Sequence, residues 1–154
     1  ARIVNVASDS HYSAKNIDVE SFYKKKGRYF VMSAYEQSKL ANVLFTYALA
    51  EKAKPFNITV NALHPGFVYT PIGNKNGNAF FGFVWNAASK LFGLTVEKGA
   101  SSHIYLASSV EVKNTSGEYF HNCKAKKSSA ISYDKNIQEI LWKESERKSG
   151  FTFL

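Results

Sequence analysis

Two short β-branched runs, Arg2-Ile3-Val4-Asn5-Val6-Ala7 and Ile58-Thr59-Val60-Asn61-Ala62-Leu63, constrain the fold of this chain more than any other feature. Runs of this length and composition read as buried strands. Between them the pattern turns helical. From about Ala34 to Ala53, Leu40, Val43, Leu44 and Tyr47 recur at steps of three and four, with neither Gly nor Pro inside. Pro55 ends that helix, because the residue before a proline is steered out of the helical region. Pro65-Gly66 stops the second run. Strand, helix, strand is a βαβ unit, for which a parallel pairing and a right-handed crossover are expected. A buried parallel strand needs neighbours on both sides. Nothing precedes the first run, so the expectation is a chain that opens in the middle of a larger domain.

The rest of the chain gives weaker signals. Residues 9–33 are polar and read as a long loop with one helical turn near Val19–Tyr23. Residues 72–93, rich in Gly, Asn and aromatics, read as a loop followed by a short amphipathic helix. Thr95 is a suitable N-cap, with Glu97 favourable in the first turn, for a helix reaching about Ser108 with Ala100, Ile104 and Ala107 on one face. Glu118-Tyr119-Phe120 reads as a third strand after Gly117. Asp134 caps a last helix in which Ile137, Ile140 and Leu141 are spaced for burial. No repeat or low-complexity linker divides the chain, and 154 residues make about one domain.

Composition excludes several classes. No apolar run approaches the roughly 20 residues of a spanning helix. Cys123 is the one cysteine, so there is neither an internal disulfide framework nor a multi-cysteine zinc site. The net charge of +8 is spread at +3, +2 and +3 over residues 1–39, 40–112 and 113–154, which argues against a nucleic-acid partner. The tight clusters, Lys24-Lys25-Lys26 with Arg28 and Lys124 with Lys126 and Lys127, read as solvated surface. Asn57-Ile58-Thr59 and Asn114-Thr115-Ser116 match the glycosylation pattern, and the first is discounted as the start of a buried strand. His64 reads as a packed strand-end residue, and His11, His103 and His121 show no ligand spacing, so no metal site is expected.

Three signals carry chemistry. Tyr35 and Lys39 stand four apart, on one face of the long helix near its start. Ser8 follows the first strand, and His64-Pro65-Gly66-Phe67-Val68-Tyr69-Thr70 follows the second. In open α/β sheets the ligand crevice lies outside the carboxyl ends of the strands, so Ser8 and the Pro65–Thr70 segment point to one rim. An ammonium beside a phenol stabilises the phenolate. A serine hydroxyl can hold a carbonyl or alkoxide oxygen against it. This trio suits proton transfer at an oxygen while a hydride moves at the adjacent carbon. Ser8 is not read as a nucleophile, because it lacks a Gly-x-Ser-x-Gly elbow and a His/Asp pair.

At these residues the chain resembles the classical short-chain dehydrogenases/reductases, and within them the retinol dehydrogenases. The matching segments are Arg2–Ser8, Ala34–Phe45, Asn61–Thr70, Gly117–Lys124 and Leu141-Trp142, so the resemblance runs in register over most of the chain. It implies a C-terminal part of a doubly wound Rossmann-type parallel sheet with helices on both faces. It implies Tyr35 as catalytic acid/base, Lys39 as support for the phenolate and contact for the nicotinamide ribose, and Ser8 as the group orienting the substrate oxygen. Pro65, Gly66, Val68 and Thr70 would line the nicotinamide end of NADP or NAD, with NADP slightly favoured. Residues 72–93 would form the substrate loop and lid, where Phe80, Phe81, Phe83 and Trp85 suit a lipophilic alcohol or carbonyl of retinoid or steroid type. Membrane association through upstream residues and a homodimer are compatible with the resemblance.

One departure is large. No Gly-x-x-x-Gly-x-Gly lies in residues 1–154, so the phosphate-binding half of such a domain is not in this sequence. The expectation is that the isolated chain neither binds NADH or NADPH measurably nor stays soluble, since it would lack the pyrophosphate seat and expose a sheet edge. Against the oxidoreductase stands a non-catalytic scaffold of the same fold, which a degenerate glycine loop upstream would favour. A membrane-surface protein using the basic clusters and the aromatic loop is a third and weaker reading.

Overall fold

β1 (Arg2–Val6) and β2 (Thr59–His64) pair in parallel, from Arg2 opposite Thr59 to Val6 opposite Leu63. The structure is a computed structural model that describes residues 1–19, 30–68 and 94–152. β3 (Tyr119–His121) adds in parallel to β2, with His64 opposite His121. A short edge strand β4 (Lys124–Ala125) pairs antiparallel to β3. The order is β1-β2-β3-β4. β4 was not expected from the sequence. It exists because Asn122 and Cys123 take left-handed backbone, at φ 50° and 59°, and reverse the chain in two residues.

Side chains alternate across this sheet as the pleat requires. Ile3, Val60, Ala62 and Tyr119 meet α1 (Val31–Ala53) and its neighbour α3 (Lys135–Ser149) on one face. Val4, Leu63 and Phe120 meet Tyr105 and Leu106 of α2 (Val96–Ser108) on the other. The expected α/β layering, with helices on both faces of a parallel sheet, is therefore present.

α1 begins three residues before the expected start and buries the periodic residues Leu40, Val43, Leu44 and Tyr47. Ala53 gives way to a 3-10 turn over Lys54–Phe56 that contains Pro55, and Asn57, left-handed at φ 54°, turns the chain into β2. Asn57 is thus an exposed turn residue, and β2 begins at Thr59, one residue after the expected Ile58. At the other expected loop, residues 9–12 form a 3-10 turn, while most of the expected turn near Val19–Tyr23 lies outside the described residues.

Both capping expectations hold. The Thr95 hydroxyl accepts from Lys98 N at 3.3 Å, and Asp134 accepts from Asn136 N and Ile137 N at 2.9 and 3.1 Å. The buried faces differ from expectation. In α2 the inward residues are Gly99, Ser102 and Leu106, and Ile104 is 63% exposed. Close approach decides this: a Cβ on Gly99 would stand 2.4 Å from Val68 Cγ2, so only glycine admits the contact. In α3, Leu141 and Trp142 are buried with Gln138, whose amide donates to Ser132 O, whereas Ile140 is exposed. No described helix is long and apolar enough to cross a membrane.

One buried polar residue fixes the sheet's register. Asn61 sits inside β2, its amide donating to Thr115 O at 2.7 Å and its carbonyl accepting from Glu118 N at 3.1 Å. It thereby holds the approach to β3 against β2. Asn61→Ala removes both bonds and leaves the Glu118 N–H without its acceptor. The expected loss is about 2–3 kcal/mol, read as a lower urea midpoint with unchanged m-value.

Candidate functional site at the carboxyl rim of the sheet

The C-terminal ends of β1, β2 and β3 converge on one rim, and most of the chemistry-bearing residues stand there. Ser8 lies two residues beyond β1 in extended backbone and caps the 3-10 turn that follows. Its Oγ accepts from Ser10 N and donates to Ser10 Oγ, both at 3.2 Å. Its carbonyl is held by His11, whose Nδ1–H donates to Ser8 O at 2.6 Å. That tautomer follows from the other ring nitrogen, since His11 Nε2 accepts from Ser129 N at 3.1 Å. His11 is fully buried. The sequence showed only a polar loop here, because a histidine whose partners lie 3 and 118 residues away leaves no local pattern.

α1 is tied to the same rim. Asn42 Nδ2 donates to Val6 O at 3.0 Å, and Ala7 packs against Val43 and Tyr47. Asn42, Lys39 and Tyr35 share one helix face. Lys39 and Tyr35 therefore stand one and two turns beyond the tie, about 4.5 and 10 Å along the axis. Tyr35 is 43% exposed, and the Lys39 ammonium lies over its ring, 5.5 Å from the centroid.

The segment after β2 is sharply defined up to Val68. Gly66 takes φ 84°, and a Cβ there would meet Leu94 Cδ1 at 2.4 Å. Leu94 N donates to Phe67 O at 2.7 Å, and Val68 bridges Leu94 in parallel. The residues on either side of segment 69–93 are therefore paired to each other. Of the expected cofactor contacts, Pro65, Gly66 and Val68 stand at the rim, and Thr70 lies outside the described residues. So do Phe80, Phe81, Phe83, Trp85 and the rest of the expected lid over 72–93.

A second group at the rim was not anticipated. Asp9, His64 and His121 each offer one ligating atom, all within 4.8 Å of one another. Asp9 Oδ2 stands 3.4 Å from His64 Nε2, Asp9 Oδ1 accepts from the Tyr119 hydroxyl at 2.8 Å, and Lys126 Nζ is 3.7 Å from Oδ1. Burial alone would raise the Asp9 carboxyl, but the Tyr119 donor and the surrounding positive charge outweigh it and hold it below its usual range. Burial pushes His64 and His11 below the ordinary imidazole value, so both are neutral near neutral pH. The Tyr119 hydroxyl first, then the His64 and Lys126 charges, carry the lowering at Asp9 as it titrates at acid pH. These residues are 55 and 57 positions apart in sequence, and parallel pairing alone brings them together.

Comparison with known proteins settles the family. The family model for short chain dehydrogenase matches residues 1–79, half of the chain. The chain belongs to the short-chain dehydrogenase family. It is 37% identical to retinol dehydrogenase 13 of Mus musculus over 97% of its own length and 46% of that protein's. It is 35% identical to polyprenol dehydrogenase of Homo sapiens over 97% of its length and 45% of that protein's. It thus spans about half the length of the curated relatives it matches. A crystal structure of an uncharacterised protein from Mycobacterium Paratuberculosis superposes with a TM-score of 0.72 at 25% identity, covering 99% of this chain and 52% of the other. The short-chain dehydrogenase family is an oxidoreductase family that generally uses NAD(P), and the resemblance read from the sequence holds at that level.

The buried imidazoles give this rim a pH dependence. Folding lowers the proton affinity of His11 and His64 below the ordinary value of 6.5. The unfolded chain therefore binds protons first as pH falls, and stability is complete above about 6.5 and drops below it. Denaturant midpoints at about pH 7.5 and about pH 5.5, which bracket the ordinary imidazole value, should fall toward acid. His11→Phe keeps the ring against Tyr12 and Tyr119 but leaves the Ser129 N–H unpaired. It should cost about 1–3 kcal/mol at neutral pH and shrink the acid-side slope.

Proposed function

We propose that this chain carries the proton-transfer half of an NAD(P)-dependent oxidoreductase that interconverts a lipophilic alcohol and its carbonyl. The observation that supports this most is the exposed Tyr35 phenol with the Lys39 ammonium over its ring, on a helix strapped by Asn42 to the strand end that carries Ser8. The substrate class follows from the matched relatives, which are named for retinol and polyprenol, both long apolar alcohols.

The donor set fits the nicotinamide ribose end of such a cofactor. Lys39 offers N–H donors and no acceptor, the Tyr35 side chain is exposed with a hydroxyl that can donate, and a ribose diol accepts from both. Pro65, Gly66 and Val68, stiffened by the Leu94 pairing, would supply a fixed edge beside it. A nicotinamide held there would supply the hydride acceptor or donor for the substrate carbon.

The chain's own groups then handle the oxygen. Ser8 turns its hydroxyl from Ser10 to the substrate oxygen and holds it near the Tyr35 hydroxyl. In the oxidative direction the alcohol proton passes to the Tyr35 phenolate as the hydride leaves the carbon. In the reductive direction Tyr35 returns that proton to the nascent alkoxide. Lys39 stabilises the phenolate by its positive charge, an attraction that strengthens as water is excluded.

In the intact protein, Tyr35→Phe should lower turnover at least about 100-fold, the scale of a lost general acid–base group, with cofactor affinity little changed. Activity near the parent level would favour a scaffold of the same fold. Lys39→Met should weaken cofactor binding and turnover together, read by nicotinamide fluorescence titration beside steady-state rates. Normal cofactor affinity and an unchanged pH–rate profile would refute the dual role.

A further inference from the structure

We infer that Asp9, His64 and His121 form a site for a borderline divalent ion of the zinc class, clamping the ends of β1, β2 and β3 together. The site uses none of the side chains of the proton-transfer trio, although Asp9 directly follows Ser8.

The donor set is one carboxylate and two imidazoles, with ligating atoms within 4.8 Å of one another. Nitrogen donors of this kind select zinc, copper, nickel or cobalt over magnesium and calcium, which prefer all-oxygen shells. Ligands at about 2.1 Å from a tetrahedral ion stand about 3.4 Å apart. Asp9 Oδ2 and His64 Nε2 are already 3.4 Å apart. The third donor therefore has only a small distance to close, by rotation of the His121 side chain.

The backbone fixes all three positions before any ion arrives. Asp9 opens the 3-10 turn capped by Ser8, His64 is the last residue of β2, and His121 is the last residue of β3, directly opposite His64 in register. The two imidazole rings stand 4.9 Å apart at 45°. The Tyr119 hydroxyl donates to Asp9 Oδ1 and leaves Oδ2 toward His64, the kind of outer contact that orients a ligating carboxylate. All three residues are half-buried, so an ion can reach them and still lose part of its water shell.

One group opposes the ion. Lys126 Nζ lies 3.7 Å from Asp9 Oδ1 and 4.9 Å from the centre of the Tyr12 ring. Its side chain is 46% exposed, so it can swing outward when a dication arrives, at a cost in affinity. This opposition supplies a sharp test, because removing Lys126 should strengthen binding, whereas almost any damage to a fold weakens it.

The experiment strips the intact protein with chelator and titrates it with zinc chloride and, separately, cobalt chloride. The expected result is one ion per chain, a rise in melting temperature with zinc, and the intense visible bands of low-symmetry four-coordinate cobalt. His121→Ala should weaken zinc at least about tenfold. His103→Ala, a histidine on α2 remote from the cluster in sequence and element, should leave it unchanged. Lys126→Met should tighten zinc several-fold. No stoichiometric uptake, equal affinity in His121→Ala, or unchanged or weaker binding in Lys126→Met would each overturn the site.

Discussion

The parallel pairing of β1 with β2 is the constraint on which the rest depends. It forces the chain to cross the sheet between the two strands, and α1 is that crossing. It also sends both strand ends to the same side, so that Ser8, Asp9, His64 and Pro65 become neighbours although they fall in two distant parts of the sequence. The Asn42–Val6 bond then sets how far α1 extends beyond the sheet, and with it where Lys39 and Tyr35 stand. A helix free to slide along its axis would carry the same residues and no defined relation to the strand end.

The rim shows how differently two kinds of polar group are held. Tyr35 is exposed and Lys39 half-buried on the first turns of α1, within reach of solvent or a ligand. His11, Asp9 and Tyr119 are interlocked beneath: His11 holds Ser8 O within the turn and accepts from Ser129 N, and Tyr119 donates to Asp9 across from β3. A buried polar network left half satisfied would cost more than an apolar one. This one instead stiffens the turn that carries Ser8, so the residue proposed to touch substrate rests on groups that do not.

Much of the architecture was legible because its signals are local. The β-branched runs, the step of Leu40, Val43, Leu44 and Tyr47, and the caps at Thr95 and Asp134 each record their own backbone state. The tyrosine and lysine were legible for the same reason, since a spacing of four is a helix property. What failed was decided at a distance. Ile104 and Ile140 look inward by composition, yet Gly99 against Val68 and Gln138 against Ser132 set which face each helix buries. β4 arises from two left-handed residues, Asn122 and Cys123, of which neither is glycine. The His64–His121 juxtaposition is a consequence of register between strands, which no spacing encodes.

The pairing of Val68 with Leu94 has an evolutionary consequence. Because the chain leaves the framework at one point and rejoins it beside that point, whatever lies between can be lengthened, shortened or exchanged with almost no effect on the distance the framework must span. Closure entropy grows only slowly with such length changes. Selection can therefore rewrite residues 69–93 as a cassette while α1 and the strand ends on either side of it keep their geometry. A lineage built this way would diversify in that segment far faster than in the framework around it.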